Sequence, residues 1–206
     1  MIIFISLLAL FSRRFLAEVP IGSLHGHLNL DELNSWVANY VLKEYSNIVI
    51  QNEIGKSVQG RPLQTLCIGE SCFQQNSITD SHHENVIGEA FFNSLHHARE
   101  PLGMMALVYF IDDLLIKWKS GDLTTRHLLK RRKLIFLLVV NPDGYIANQK
   151  DPGMRRKNFG SLIPGKTCLR RDEEVGVDLN RNYEFCFNMD FEGSSRDPCA
   201  IDYGGP

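Results

Sequence analysis

After Asn29, apolar side chains recur at intervals of three and four residues, and this spacing predicts an amphipathic helix. Asn29 and Glu32 have the spacing of a capping box, so the first helix is predicted to begin there. Its apolar positions are Leu33, Trp36, Val37, Tyr40 and Val41. A longer apolar helix is predicted over residues 101–118, with a proline at an early position that needs no N–H donor. A shorter basic helix is predicted over residues 124–132.

Shorter apolar runs without this periodicity predict strands. Residues 48–50 and 62–68 are two such runs, separated by a turn at 59–60. Residues 90–95 form a third. The run at 134–140, LIFLLVV, is apolar throughout, which is typical of a strand in the middle of a sheet that helices cover on both faces. Because strands alternate with helices, the pattern predicts an α/β domain.

Two regions are predicted to be mainly loop. Residues 70–85 are mostly polar, and after residue 141 glycine and proline become frequent. Loops on a rigid scaffold often carry functional side chains, so we expect site residues in the second region.

The chain opens with an almost wholly apolar run, MIIFISLLALF, followed by Ser12, Arg13 and Arg14. The run is shorter than the about 20 apolar residues that a membrane-spanning helix needs. It does have the character of the apolar core of a secretory signal. We therefore predict a signal peptide over residues 1–17 and a secreted protein without a stable membrane span. The alternative is a mistaken start or a buried segment.

Composition narrows the class of protein. A hydrophobic fraction of 44% and a charged fraction of 22% exclude an intrinsically disordered chain, and 206 residues is the length of one ordinary domain. The formal net charge of −2 gives no overall attraction to nucleic acid. The basic stretch at 126–133 is interpreted as a solvated helix face, so no nucleic-acid partner is expected.

A histidine and a glutamate three positions apart, His97 and Glu100, lie where a predicted strand ends and a predicted helix begins. Ligand sites of α/β folds occur at such turns, and imidazole with carboxylate is an ordinary zinc ligand pair. Catalytic zinc usually takes three protein ligands. The pair alone is therefore also compatible with a helix start that carries a solvated Glu100.

Further polar motifs follow the central strand. Residues 141–144 read Asn-Pro-Asp-Gly, which predicts a tight turn. Arg156 stands in the sequence Met-Arg-Arg-Lys-Asn, and Asn180 and Arg181 stand in Val-Asp-Leu-Asn-Arg-Asn-Tyr. Arginine is suited to bidentate capture of a carboxylate, so an Asn-Arg pair beside a metal site indicates a substrate with a free carboxylate. Solvated surface arginines are the alternative.

In this order, the motifs resemble the zinc carboxypeptidases of the carboxypeptidase A type. The matching segments are residues 54–63, 97–100, 141–144, 155–158 and 176–183. The resemblance implies a three-layer αβα fold with a mixed, mostly parallel central sheet flanked by helices and incomplete at its C-terminal side. Residues 28–206 would form the N-terminal two-thirds of a catalytic domain.

The resemblance also implies a metal and a catalytic cation. His97 and Glu100 would be two ligands of one Zn²⁺, whereas the adjacent His96 lacks the required spacing to Glu100. Arg156 would stabilise the oxyanion that forms when water attacks the scissile carbonyl.

The implied substrate is a peptide or protein with a free C-terminal carboxylate. Asn180 and Arg181 would hold that carboxylate, and Arg99 would offer a further cationic contact along the substrate path. The implied activity is that of a metallocarboxypeptidase, which removes C-terminal amino acids.

The family also requires a third zinc-binding histidine and a general-base glutamate, and no residue of this sequence matches either position. After Glu100 the sequence has one histidine, His127, in the predicted basic helix. We therefore expect weak zinc binding and little peptidase activity from this polypeptide, because a missing general base costs about 10²- to 10⁴-fold in rate.

Two alternative functions are compatible with some of the motifs. One is a non-catalytic peptide-binding relative, or inactive fragment, that keeps the carboxylate clamp. The other is a deacylase of small amidated amino acids, which the complete stretch at 178–182 together with Arg156 disfavours.

Five cysteines leave at least one without a partner in the chain. Cys67 and Cys72 are close enough in sequence for a local disulfide. The resemblance implies a second bridge between Cys168 and Cys199, which leaves Cys186 as the odd thiol. Five reduced thiols in a cytosolic protein are the alternative.

Overall fold

The computed structural model describes residues 19–73, 88–150, 154–160, 168, 175–187, 189 and 192–206. The predicted signal peptide lies outside these residues, as does most of the predicted loop at 70–85. The helices are α1 (Leu30–Trp36), a π-helical turn (Val37–Val41), α2 (Leu42–Glu44), α3 (Leu102–Ser120), α4 (Leu123–Arg131) and α5 (Pro142–Lys150). The strands are β1 (Val49–Lys56), β2 (Pro62–Ile68), β3 (Gly88–Asn93) and β4 (Arg132–Leu137). Short 3₁₀ turns occupy Glu70–Phe73 and Leu179–Arg181.

Helix α1 begins with the capping box that its sequence predicts. Asn29 Oδ1 accepts a hydrogen bond from the Glu32 N–H at 2.9 Å, and Glu32 Oε2 accepts one from the Asn29 N–H at 2.8 Å. The bond from the Asn29 backbone lowers the pKa of the Glu32 carboxyl. Leu33 and Trp36 are buried, and the π-helical turn carries the apolar face onward without a break. The first predicted helix is therefore confirmed.

The four described strands form one mixed sheet in the order β1-β2-β4-β3. Strand β2 pairs antiparallel with both β1 and β4, whereas β3 and β4 are parallel. The α/β class and the mixed sheet are confirmed, but over these strands parallel pairs are fewer than the expected "mostly parallel" sheet implies. For the β1–β2 pair the reason is that only residues 57–61 connect the two strands, and so short a connection joins antiparallel strands alone.

Strand β4 is central, as its uniformly apolar sequence predicts. It lies between β2 and β3, and its consecutive residues Phe136 and Leu137, which point to opposite faces of the sheet, are both buried. On one face Phe136 stacks on Phe92 of β3 at 5.0 Å between ring centroids and meets Phe110 of α3 edge-on at 5.8 Å. The strand ends at Leu137, three residues earlier than predicted.

Helix α5 occupies a segment for which the sequence predicts a tight turn and loop. Asn141 Oδ1 accepts a hydrogen bond from the Gly144 N–H at 3.0 Å, as a helix N-cap does, and Pro142 is the first helical residue. The predicted turn is wrong because asparagine and proline favour both turns and helix starts.

The start of α5 is tied to the turn between β1 and β2. Asp143, which is 2% exposed, accepts hydrogen bonds from Ser57 Oγ at 2.7 Å, the Gln59 N–H at 3.0 Å and Arg61 Nη1 at 2.6 Å. Because a buried carboxylate requires such partners, these contacts fix the turn and the helix to each other.

Two disulfides, Cys67–Cys72 and Cys168–Cys199, are formed, and Cys186 is an exposed free thiol. The predicted pairing is confirmed. Over the described ranges, no helix combines the length and the apolarity that crossing a membrane requires.

Candidate metal and substrate site

His97 and Glu100 lie in the turn between the end of β3 and the start of α3, as predicted. Leu95, which precedes them, has a φ of 55°, a left-handed conformation that is costly for leucine. Neighbouring backbone holds it, since the Asn141 N–H donates to the Leu95 carbonyl and the Val140 N–H donates to the Ser94 carbonyl, both at 3.0 Å. The bend at Leu95 therefore belongs to a fixed turn.

The imidazole of His97 lies between two carboxylates. Its Nδ1 is 3.0 Å from Glu100 Oε2, and its Nε2 is 3.1 Å from Asp178 Oδ1. His97 is 9% exposed and Asp178 is fully buried, whereas the Glu100 side chain is 56% exposed. The buried Asp178 thus contacts Nε2 of the histidine, and Nδ1 faces the solvent-accessible Glu100.

Asp178 also orients Arg156. Its Oδ2 accepts hydrogen bonds from Arg156 Nε at 2.9 Å and Nη2 at 2.8 Å, and Arg156 Nη1 is 3.7 Å from Glu100 Oε1. The guanidinium therefore lies beside the His97–Glu100 pair. Two carboxylates meet one guanidinium here, which leaves one net negative charge when the imidazole is neutral.

His97 and Glu100 suit a shared cation. If Nε2–H of His97 donates to Asp178, then Nδ1 carries a lone pair that faces the Glu100 oxygen, and a proton or a metal ion must lie between these two acceptors. Metal-bound histidines commonly donate their other nitrogen to a carboxylate in this way. Among the described residues no group of three or more His, Cys, Asp and Glu side chains is arranged to hold a metal.

Asn180 and Arg181 follow Asp178 directly in the 3₁₀ turn and line a cavity of about 320 Å³. The Asn180 N–H donates to Asp178 Oδ1 at 2.9 Å, which joins this turn to the histidine site. Arg181 Nε donates to the Gly193 carbonyl at 2.8 Å, and Nη1 donates to the Asn180 carbonyl at 3.0 Å. Within the described part of the chain, no carboxylate lies within ion-pair distance of this guanidinium.

Two neighbours of the pair take other positions. Arg99 Nη1 donates to the Met154 carbonyl at 3.4 Å, so its guanidinium lies along the loop that leads to Arg156. His96 Nε2 is 2.5 Å from the hydroxyl of Tyr183, at the wall of the cavity. Burial lowers the pKa of His96, His97 lowers it further, and Asp178 acts in the opposite direction.

The structure thus brings together His97, Glu100 and Arg156, and places Asn180 and Arg181 next to them. The sequence alone assigns no role to Asp178, although this carboxylate contacts His97, Arg156 and Asn180. The sequence feature that could have identified Asp178 is its position two residues before Asn180 and Arg181, the pair expected to bind a carboxylate. The guanidinium that Asp178 contacts is that of Arg156, 22 positions earlier in the chain, so sequence proximity alone does not identify this pair.

Comparison with known proteins gives consistent matches. A family model described as zinc carboxypeptidase matches residues 34–206. Carboxypeptidase A5 of Macaca fascicularis is 29% identical over 195 residues, which cover 95% of this chain and 39% of that protein. An inactive metallocarboxypeptidase of Schizosaccharomyces pombe is 28% identical over 186 residues, which cover 86% of this chain and 32% of that protein.

A solved structure shows the same fold. The carboxypeptidase A from Helicoverpa armigera superposes with a TM-score of 0.68 at 28% identity, covering 87% of this chain and 38% of that chain. The chain therefore spans about two fifths of the length of these two carboxypeptidases, 39% of the macaque protein and 38% of the Helicoverpa armigera chain.

Proposed function

The chain belongs to the zinc carboxypeptidase family, and from this premise we propose that it carries part of the active site of a zinc-dependent metallocarboxypeptidase. The activity would be removal of C-terminal amino acids from peptides or proteins. The observation that carries the proposal is the meeting of His97, Glu100 and Arg156 around the buried Asp178.

In this proposal His97 Nδ1 and Glu100 hold one Zn²⁺. Asp178 supports the histidine by accepting a hydrogen bond from Nε2–H, which fixes the ring and directs the Nδ1 lone pair outward. When bound, zinc would polarise the scissile carbonyl and acidify the attacking water. The net negative charge of the cluster favours a cation at this point.

Arg156 acts in the proposal as a placed positive charge for the carbonyl oxygen that becomes anionic. Its side chain is 14% exposed, and the two hydrogen bonds from Nε and Nη2 to Asp178 Oδ2 fix its orientation before substrate arrives. Preorganised charge of this kind is worth several kcal/mol in acyl transfer, because no reorientation is required during the reaction.

Asn180 and Arg181 are proposed to hold the substrate's terminal carboxylate. Support comes from their place in the cavity wall and from Arg181 having its cation bonded to neutral carbonyls. Such a guanidinium can gain a charged partner without giving up an existing ion pair. Arg99, which lies along the loop at Met154, would meet a more distant part of the peptide.

A second candidate is a non-catalytic protein that binds peptide C-termini. The observation that favours it is that the described residues supply a metal with two ligands and no third. In that case Arg181 and Asn180 would still select a free carboxylate, but binding would not lead to hydrolysis.

The test is to titrate Zn²⁺ into the full chain by calorimetry and to compare His97→Ala with the matched variant His96→Ala. Loss of a residue that only supports a metal ligand typically weakens binding about 10- to 100-fold. We expect His97→Ala to weaken zinc binding by more than this and His96→Ala to leave it unchanged. Equal losses in both variants, or no zinc binding by the wild type, would contradict the metal proposal.

The substrate proposal is tested with a peptide in two forms that differ only in a free or amidated C-terminus. Zinc-dependent turnover of the free peptide supports the peptidase, whereas preferential binding without turnover supports the second candidate. Equal behaviour of the two forms would exclude both.

We also propose that the protein is secreted. The two disulfides support this, because such bonds persist in oxidising compartments. Expression in a eukaryotic secretory host is expected to release the protein into the medium, with an N-terminus near residue 18 on Edman sequencing. Retention in the cytosol with an intact Met1 would show that the leader prediction is wrong.

A further inference from the structure

We propose that Asn141 is a positioning residue that sets the place of Arg156 relative to His97. This inference rests on the proposed roles of those two residues, and it concerns a side chain whose hydrogen bonds go to backbone groups.

Asn141 lies where three backbone segments cross. Its side chain is almost fully buried, with the residue 2% exposed. Its Nδ2 donates to the His96 carbonyl at 3.3 Å and to the Arg156 carbonyl at 3.4 Å, while its Oδ1 accepts from the Gly144 N–H at 3.0 Å. One amide therefore joins the turn that carries His97, the segment that carries Arg156 and the start of α5.

Direct backbone contacts reinforce this crossing but do not replace it. The Ala98 N–H donates to the same Arg156 carbonyl at 3.2 Å, so that oxygen receives two donors. Each hydrogen bond of Nδ2 is long, and because the two lengths are nearly equal, the nitrogen lies about midway between the His96 and Arg156 carbonyl oxygens. If the amide donor is lost, the Ala98 N–H still donates to the Arg156 carbonyl.

Contacts on two sides hold the start of α5 in place relative to the turn of His97. A Cβ at Gly144 would lie 2.7 Å from the Ala98 Cβ, so the helix already packs directly on the turn of His97. On its other side Asp143 is held by Ser57 and Arg61. Asn141 thus projects from a fixed support, which is the condition for a side chain to position two other segments.

The test uses the full chain and the substitution Asn141→Asp. Aspartate keeps the N-cap acceptor for Gly144 and removes the N–H donor, placing an anion against two carbonyl oxygens. The matched control is Asn29→Asp, the same change at the N-cap of α1, where Nδ2 donates to Ser23 Oγ at 2.9 Å. Asn141→Ser, which is too short to reach both carbonyls and carries no charge, is the second variant if Asn141→Asp does not fold.

The readout is hydrogen exchange of the Arg156 Nε–H, followed by NMR, which needs neither metal nor turnover. We expect exchange to become at least about tenfold faster in the Asn141 variants, because the Arg156–Asp178 bond opens more often, and to stay unchanged in Asn29→Asp. Unchanged exchange in the Asn141 variants, or equal acceleration in Asn29→Asp, overturns the proposal.

Zinc affinity is measured on the same samples. A loss of about 10- to 100-fold confined to the Asn141 variants extends the positioning effect to His97, and an unchanged affinity alongside faster Arg156 exchange overturns that half of the inference. If the wild type binds no zinc, the proposed function fails, and the exchange of Arg156 still decides whether Asn141 positions it.

Discussion

Replacing Asp178 by alanine is expected to lower the free energy of unfolding by about 3–5 kcal/mol, because it leaves Arg156 without its buried partner. The carboxylate is fully buried and receives hydrogen bonds from Arg156 Nε and Nη2, the Asn180 N–H and the His97 ring. Urea denaturation at neutral pH measures the change. Zinc affinity is expected to fall about 10- to 100-fold as well, since the histidine loses the group that orients it.

Two control variants test whether the effect comes from the charge of Asp178. One removes the charge but keeps the shape of the side chain, and the other removes a carboxylate elsewhere, on the surface. Asp178→Asn keeps an oxygen for the Asn180 N–H and should fall between wild type and the alanine variant. Asp113→Ala removes an exposed carboxylate that pairs with Lys117 one helical turn away, and should leave stability unchanged within error. If Asp178→Ala is no more harmful than Asp113→Ala, then Asp178 does not organise the site.

Removing the Cys168–Cys199 disulfide by the double substitution to serine is expected to cost about 3–4 kcal/mol on the chain-entropy estimate. The bond joins residues 31 apart, and the turn around Cys199 is also held by Lys157 Nζ, which donates to the Pro198 carbonyl at 2.8 Å and the Ala200 carbonyl at 2.7 Å. Lys157 is itself fully buried. In the unfolded chain the bond closes a loop that contains Asp178, Asn180 and Arg181.

The second disulfide provides the control for this measurement. Cys67–Cys72 joins residues 5 apart, and its removal should cost only about 2 kcal/mol, because a short loop loses less entropy on closure. Both double variants are compared by urea unfolding under oxidising conditions. A larger loss from the short loop than from the long one would contradict the entropic account.

Features of the fold that depend on near neighbours could be predicted from the sequence. The capping box of α1 requires two residues three positions apart, and the buried strand β4 shows itself by a continuous apolar run. The same holds for His97 and Glu100, whose spacing at a strand end brings their side chains to 3.0 Å. In each case the signal and the structure it specifies lie within one segment.

Features that depend on distant partners could not be predicted. Asp178 meets a histidine 81 positions earlier in the chain, and Asp143 meets Ser57 at a separation of 86. The sequence around each of these aspartates does not distinguish it, by composition or by periodicity, from an aspartate on the solvated surface. The start of α5 at Pro142 could not be predicted for a different, local reason: asparagine and proline favour both turns and helix starts.

The contact between Asp143 and the β1–β2 connection restricts which changes of length the chain tolerates. Exposed turns between strands are ordinarily the positions where insertions are accepted and where loops can be exchanged between relatives. Here Ser57 Oγ, the Gln59 N–H and Arg61 Nη1 must converge on one carboxylate, so an added residue would displace at least one donor. A surface hairpin far from His97 and Glu100 in sequence is therefore a poor site for a graft or a tag.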